Sequence, residues 1–220
     1  MIFLYHTILL KPIFNALVGL YNLTGDVGIA IILLTLAVRA LILPVTLQSM
    51  KSQKALQTLQ PKLNALKEKH KGDKPGLAKA TMELYKQEKV NPASSCLPLL
   101  VQLPIFIALY QAMQIGLKNG GMEFLYGFVN RPEAINVLAF GFLDLAKASI
   151  PIAVLAGLSQ FWQAKMLSFH KPKKITEASK DEAMLGMMNK QMLYVMPVFT
   201  VFIGASLPGG VILYWFVTNV

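Results

Sequence analysis

The sequence predicts an all-α membrane protein with five transmembrane helices around a hydrophilic groove, a cytoplasmic helical hairpin and an N-terminal interfacial helix. Three observations lead to this class. Hydrophobic residues make up 55% of the 220 residues and charged residues only 15%. Uncharged runs of transmembrane length recur along the chain, as in polytopic membrane proteins. The formal net charge of +10 is concentrated in a few lysine-rich segments instead of being spread over a surface.

Each predicted element follows from local composition. The N-terminal segment is apolar but interrupted by Lys11 and Pro12, which favours an amphipathic helix in the membrane interface over a short first span. The remaining boundaries follow the alternation of uncharged and lysine-rich stretches. The predicted elements are the interfacial helix 1–26, span 1 (27–47), the cytoplasmic hairpin 48–91, span 2 (92–117), the extracytoplasmic loop 118–148, span 3 (149–167), the cytoplasmic loop 168–190, span 4 (191–206) and span 5 (210–220).

The loops predict the orientation of the chain. Segment 48–91 holds ten lysines and four acidic residues, and 168–190 is also rich in lysine, whereas loop 118–148 is balanced. Lysine-rich loops stay in the cytosol, so we expect the N-terminus outside and the C-terminus in the cytosol. Loop 118–148 contains VLAFGFLDLA, which is too short to span, and we expect an interfacial segment there. Asn91-Pro92 is typical of a helix start.

Arg39 lies inside span 1, in the stretch ILLTLAVRALILP. An arginine near the middle of a span costs about 2.5–3.5 kcal/mol on insertion scales. Side chains tilt toward the N-terminus of their helix, so snorkelling to the nearer cytosolic surface works against the geometry of span 1. We therefore expect a wet cavity or a polar partner around Arg39, with simple snorkelling as the alternative.

Other spans carry polar side chains at a similar depth, and no predicted span contains an acidic residue. We predict a groove open to cytosolic water in which Arg39 receives an acidic group of another molecule. The alternative is that the glutamines join neighbouring helices and that Arg39 binds backbone carbonyls. The predicted groove residues are Thr35, Arg39, Gln102, Gln160, Gln163, Tyr214, Trp215 and Asn219.

The residue inventory argues against an enzyme. Cys96 is the single cysteine, and the three histidines lie far apart, so neither an intrachain disulfide nor a metal-site spacing exists. Ser159 has no histidine within a span to activate it, and no P-loop or HExxH motif occurs. We expect no catalytic residue, metal or cofactor. A small channel or transporter with a polar midplane site is the alternative function, which inverted repeats would support.

Several stretches carry motifs of one family. The most specific are CLPLLVQLPIFIALYQ after Asn91-Pro92 and the ending LPGGVILYWFVTN. The others are GIAIILLTLAVRALILPVT, LQPKLNALKEKH with LYKQEKVNP, and GLSQFWQAKM. These stretches cover nearly the whole chain in family order. The sequence thereby resembles the YidC/Oxa/Alb insertases, specifically the bacterial YidC core.

The resemblance implies an insertase that inserts newly made membrane proteins and helps them fold. It implies that Arg39 is the groove arginine. Gln102, a span-3 glutamine (Gln160 or Gln163) and Trp215 would line the groove with it, and Tyr214 would contact substrate. The implied partners are nascent membrane proteins, the lipid bilayer, and the ribosome or targeting factors at the lysine-rich loops. A Sec translocon is a further implied partner, and no specific nucleic acid sequence is recognised.

The resemblance also implies the bacterial cytoplasmic membrane as the location. The chain resembles the smaller Gram-positive type, without the lipoprotein signal. Span 5 has ten residues after Gly209-Gly210, about 15 Å of helix, which is too short to cross a bilayer. We therefore expect the natural chain to continue past Val220, or its end to be frayed or cut.

Overall fold

The computed structural model of the protein describes residues 5–91, 94, 97–116, 120–167 and 191–220. These residues are mostly helical, as predicted. The helices are α1 (Lys11–Thr24), α2 (Val27–Lys69), α3 (Lys74–Gln87), α4 (Leu97–Gly116), α5 (Ile150–Leu167), α6 (Met196–Gly204) and α7 (Gly209–Asn219). Pro92 of the predicted helix start Asn91-Pro92 lies outside the described residues. The predicted cytoplasmic loop 168–190 lies outside them entirely.

Short irregular elements accompany the helices. A π-helical turn precedes α1 at His6–Leu10, and another precedes α6 at Gln191–Val195. A 3₁₀ turn lies at Met122–Phe124. Strands β1 (Leu138–Ala139) and β2 (Leu143–Asp144) pair antiparallel, with Leu138 opposite Asp144. The predicted all-α class therefore needs a small correction, because the segment VLAFGFLDLA forms a β-hairpin.

The chain divides into two compact units. The larger unit comprises Met1–Ala37 and Ala108–Val220, and the smaller unit comprises Val38–Ile107. The core of the larger unit contains α1 side chains such as Phe14 and Val18, together with Leu109 of α4 and Ile212 of α7, all of which are fully buried. Each unit is described below by itself.

α2 is one continuous helix. The side chain of Asp26 caps its N-terminus, since Oδ1 accepts hydrogen bonds from the N–H groups of Gly28 (2.7 Å) and Ile29 (3.0 Å). The sequence analysis separated span 1 from the hairpin at residue 47, where the charge changes. The backbone does not break there, and the helix also continues through Pro44 and Pro61. A change from apolar to lysine-rich composition alters the surroundings that a helix prefers but not its helical propensity.

The number of spans was predicted to be five. Among the described residues, one helical stretch, Val27–Leu56, is long and apolar enough to cross a membrane. Leu100–Gly116 and Leu193–Gly204 are apolar but shorter. The five-span arrangement therefore stays a prediction.

The smaller unit contains the predicted hairpin. The turn between its arms has Gly72 at φ 91°, and Asp73 caps α3 by accepting a hydrogen bond from Gly76 N–H at 2.9 Å. Leu59 and Leu63, which recur at helical spacing in the first arm, are both less than a tenth exposed. Lys62 and Glu88 form an ion pair across the hairpin.

In the larger unit, loop 120–148 is fastened to the N-terminal helix by side chains. Asn22 Nδ2 donates to the carbonyl of Asn130 at 2.7 Å, and Tyr21 Oη accepts from Asn136 N–H at 2.8 Å. Asn15 makes a third connection, described in the Discussion. The loop is also joined to the start of α7, where Gly209 N–H donates to the carbonyl of Lys147 at 2.8 Å. The loop is therefore a folded part of this unit.

Candidate functional site

The predicted groove residues fall into both units. Six of them, Thr35, Gln160, Gln163, Tyr214, Trp215 and Asn219, belong to the larger unit, whereas Arg39 and Gln102 belong to the smaller one. The larger unit brings some of the six together at the junction of α5, α6 and α7. A groove shared by all eight residues stays a prediction.

The junction is built on small residues of α5. A Cβ atom at Gly157 would lie 2.4 Å from Val201 Cγ2 and 3.0 Å from the carbonyl oxygen of Pro197, so only glycine allows this approach of α6. One turn earlier, Ala153 Cβ lies 3.0 Å from the position of a Cβ at Gly204. Small residues four apart are a common means of close helix packing in membranes. This spacing places the polar side chains of the next turn of α5 against their neighbours.

Two of the predicted groove residues join helices at this junction. Gln160 Oε1 of α5 accepts a hydrogen bond from the hydroxyl of Thr200, which is buried on α6. Asn219 Nδ2 of α7 donates to the carbonyl of Ala156 and to Ser159 Oγ, both at 3.3 Å. For these two side chains the structure agrees with the alternative considered from the sequence, in which polar groups connect neighbouring helices.

The other candidates of the larger unit differ in exposure. Thr35 is fully buried, and its hydroxyl donates to the carbonyl of Ile31 within its own helix at 2.6 Å. Tyr214 is only 2% exposed. Gln163 and Trp215 are half-buried and so keep surface that another molecule can reach. Gln160 is half-buried as well, but its Oε1 already accepts the Thr200 hydroxyl, so Gln163 is the better placed of the two span-3 glutamines to contact a ligand.

The smaller unit places Arg39 on α2 and Gln102 on α4, both half-buried. Arg39 follows Val27 by twelve residues, or about 18 Å along the helix axis. Val27–Leu56 is the stretch that is long and apolar enough to cross a membrane, and Arg39 lies near its middle. Thr35 precedes Arg39 by one helical turn.

Two contributors to the junction were not among the predicted residues. Thr200 is the partner of Gln160, and Ser159, considered only as a nucleophile, is a partner of Asn219. The sequence could have indicated both residues, because each lies within an uncharged span, where a hydroxyl group needs a hydrogen-bonding partner. Within the described ranges 5–91, 94, 97–116, 120–167 and 191–220, no three His, Cys, Asp or Glu side chains are grouped as metal ligands.

One ion pair lies next to the β-hairpin. Asp144 of β2 contacts Lys147 at 2.9 Å. The hydrogen bond from the Lys147 ammonium lowers the pKa of the Asp144 carboxyl below its usual range, and a weaker hydrogen bond from Ala146 N–H acts in the same direction. The same pair raises the pKa of Lys147. The ion pair thus fixes charge at the base of the β-hairpin.

Residues 19–220 match the sequence profile of the family described as 60Kd inner membrane protein. The chain belongs to this family. Curated proteins similar to this chain are named membrane protein insertase YidC. The relative from Pelobacter propionicus is 36% identical over 217 residues, which are 98% of this chain and 37% of that protein. The relative from Geobacter sulfurreducens is 34% identical over 98% of this chain and 36% of its own length.

The resemblance inferred from the motifs is therefore confirmed. This member of the 60Kd inner membrane protein family spans just over a third of the length of these curated relatives. A solved structure described as an active YidC insertase with the first transmembrane domain resolved matches 98% of this chain and 44% of its own chain. The TM-score is 0.63 and the sequence identity 24%, so this likeness establishes a shared fold.

Proposed function

We propose that this chain is the membrane-embedded core of an insertase, which receives newly made membrane proteins and helps them to enter and fold in the bacterial cytoplasmic membrane. The observation that carries the proposal is the family membership, with relatives named membrane protein insertase that match 98% of this chain. Because those relatives are much longer, the proposal concerns the activity of the part that is shared. No bond chemistry is required of it.

Arg39 is the proposed receiving group. A cation deep in a membrane-crossing helix is costly and is a functional-site hypothesis by default. The half-buried position of Arg39 supports a role in which its guanidinium attracts an acidic segment that must cross the bilayer. Gln102, Gln163 and Trp215 are proposed to line the same groove, since each keeps partly exposed surface.

The driving force in this proposal comes from the client protein. Its apolar helix moves into lipid, which removes apolar surface from water. Its acidic segment moves outward, and the membrane potential favours that movement by about 2.3 kcal/mol per charge per 100 mV. Arg39 shortens the path by holding the acid part-way. The N-out orientation inferred from the lysine-rich loops gives the groove its cytosolic opening.

The test compares Arg39→Ala with Arg39→Lys in the full protein at equal abundance. The clients are single-span proteins whose translocated segment carries either one aspartate or an asparagine at the same position. We expect Arg39→Ala to slow insertion of the aspartate client about tenfold, as the loss of a charge-assisted hydrogen bond of about 1.5 kcal/mol would. Arg39→Lys retains the charge and is expected to retain most insertion.

The readout is protease protection of the translocated segment. Insertion of the asparagine client is expected to be equal in all three proteins. Normal insertion of the aspartate client by Arg39→Ala would refute the role of the arginine. Labelling of Arg39→Cys in a Cys96→Ser background by impermeant thiol reagents from the cytosolic side only would support a half-open groove, whereas labelling from both sides would favour a channel.

A further inference from the structure

The tip of the β-hairpin is apolar and exposed. Phe140, Gly141 and Phe142 form the turn between β1 and β2, and Phe142 is 78% exposed. The ring centroids of Phe140 and Phe142 lie 6.4 Å apart, so the two rings form one apolar surface. The hairpin segment 134–143 contains no charged residue. Phe140 is 42% exposed, so both rings contribute apolar surface that another phase can reach.

The backbone of this tip is strained. Phe140 has φ 54° and Gly141 has φ 78°. The left-handed conformation suits glycine, but it is uncommon and strained for a bulky residue. Asp26 Oδ2 accepts a hydrogen bond from Phe140 N–H at 2.5 Å and holds the residue in place. The fold thus stabilises a conformation that presents both rings outward.

The tip lies at the beginning of α2. The Asp26 carboxylate that holds Phe140 is also the cap of α2 through its other oxygen. A Cβ atom at Gly28 would lie 2.6 Å from Ala139 Cβ and 3.1 Å from the ring of Phe140. The hairpin therefore packs on the first turn of the helix whose stretch Val27–Leu56 is long and apolar enough to cross a membrane.

Exposed apolar side chains continue from this point along α2. Ile29, Leu33 and Leu36 follow one another at helical spacing, and each is at least 39% exposed. At the other end of the hairpin, Asp144 and Lys147 place a charged pair at the base. These exposed apolar side chains of α2 begin one residue after Gly28, on which the hairpin packs, and the charged pair lies at the opposite end of the hairpin.

We propose that Phe140 and Phe142 form a membrane anchor, which inserts at the boundary between headgroups and acyl chains in the leaflet where α2 begins. The proposal rests on the membrane placement of α2 under the proposed function. Phenylalanine side chains on an apolar surface enter this boundary region to a depth of about 5–10 Å. The anchor fixes the depth of the Asp26 cap, and with it the depth of every residue on the following helix.

The experiment measures depth at three positions in a Cys96→Ser background of the full protein. Phe142→Cys reports on the tip, Leu33→Cys on the helix, and Glu133→Cys on an exposed, charged position of the same loop. Each is labelled with an environment-sensitive fluorophore in liposomes of phosphatidylethanolamine and phosphatidylglycerol that contain lipids spin-labelled either near the headgroup or deep in the acyl chain. All three side chains are exposed, so labelling preserves the packing.

We expect the headgroup-proximal quencher to reduce fluorescence at position 142 at least threefold more than at position 133, while position 33 responds most to the deep quencher. Equal, weak quenching at 142 and 133 with strong quenching at 33 would overturn the anchor and leave the span intact. Weak quenching at position 33 would overturn the membrane placement of α2 and the anchor with it. Excimer emission from pyrene attached at position 142 would identify a second copy of the chain as the partner and would also overturn the anchor.

Discussion

The side chain of Asn15 in α1 is hydrogen-bonded at both ends to the loop that follows α4. Its Oδ1 accepts from Tyr126 N–H at 2.6 Å, and its Nδ2 donates to the carbonyl of Phe124 at 2.8 Å and to that of Lys11 at 2.8 Å. Asn15 is only 5% exposed. One amide thus connects two segments that are more than 100 residues apart in sequence.

We expect Asn15→Leu to destabilise the larger unit by about 2 kcal/mol or more, because it leaves Tyr126 N–H and the Phe124 carbonyl without this partner in a buried place. In a protein of this size the melting temperature should fall by about 4–8 °C. The change is measured by thermal unfolding in detergent, monitored through the loss of the monodisperse peak. The control is Asn22→Leu, whose hydrogen bond to Asn130 is exposed and should matter little. Equal melting temperatures for both variants would show that burial does not determine how much these hydrogen bonds contribute to stability.

Gly157→Ala is expected to loosen the contact of α5 with α6. The new methyl group would lie within 2.4 Å of Val201 Cγ2, and overpacking of this kind costs about 1–3 kcal/mol. Combining it with Val201→Ala should recover part of the loss, because the closest atom is then removed. Melting temperatures of the two single variants and the double variant test this, and strictly additive losses would disprove the steric explanation.

The two glutamines of α5 are expected to respond differently to substitution by leucine. Gln160→Leu removes the partner of the buried Thr200 hydroxyl and should lower stability. A double-mutant cycle with Thr200→Val is expected to give a coupling of about 0.6–1 kcal/mol. Gln163→Leu should leave stability nearly unchanged but slow client insertion, since its half-buried side chain is proposed to line the groove. A loss of stability with normal client insertion for Gln163→Leu would exclude Gln163 from the groove.

The Asp144–Lys147 pair gives a pH-dependent contribution with a defined window. The folded state lowers the pKa of Asp144, so its stabilisation is present above the unfolded pKa near 3.9 and is lost as the pH falls through the folded value. The folded state also raises the pKa of Lys147. The stabilisation from Lys147 is therefore lost only as the pH rises above about 10.4. The pair is exposed and its effect is small.

The difference in melting temperature between the native protein and Lys147→Gln should therefore be constant from about pH 5 to pH 9 and should shrink as the pH falls below about 4. Arg131→Gln, which removes an exposed charge from the same loop, serves as the comparison. A difference for Lys147→Gln that persists unchanged at pH 3 would show that the ion pair is not its source.

The helices could be predicted because their signals are local. The uncharged run before Arg39 and the leucines at helical spacing around Leu59 and Leu63 each indicate a helix without reference to the remainder of the chain. The continuation of this helix past residue 47 was not predicted, because composition changes at residue 47 while backbone propensity does not. A change of environment along a helix is not a boundary of the helix.

The hairpin and its attachments could not be predicted in the same way. Phe140 adopts a left-handed conformation because Asp26, distant in sequence, binds its N–H. The role of Gln160 depends likewise on Thr200 of another helix. Such pairings are set by tertiary packing, and a single sequence carries no local signal for them. The spacing Ala153–Gly157 was the one local pattern that could have indicated the junction of α5 with α6.

The attachment of loop 120–148 has a consequence for the order in which the chain is assembled. During synthesis Asn15 and Asp26 emerge first, the loop follows, and α7 emerges last. The carbonyls of Leu145 and Lys147, which receive the N–H groups of Gly210 and Gly209, belong to a loop whose other partners have already been made. We therefore expect α7 to be added to a surface whose other partners precede it in the chain, so that α7 closes this unit and does not begin it.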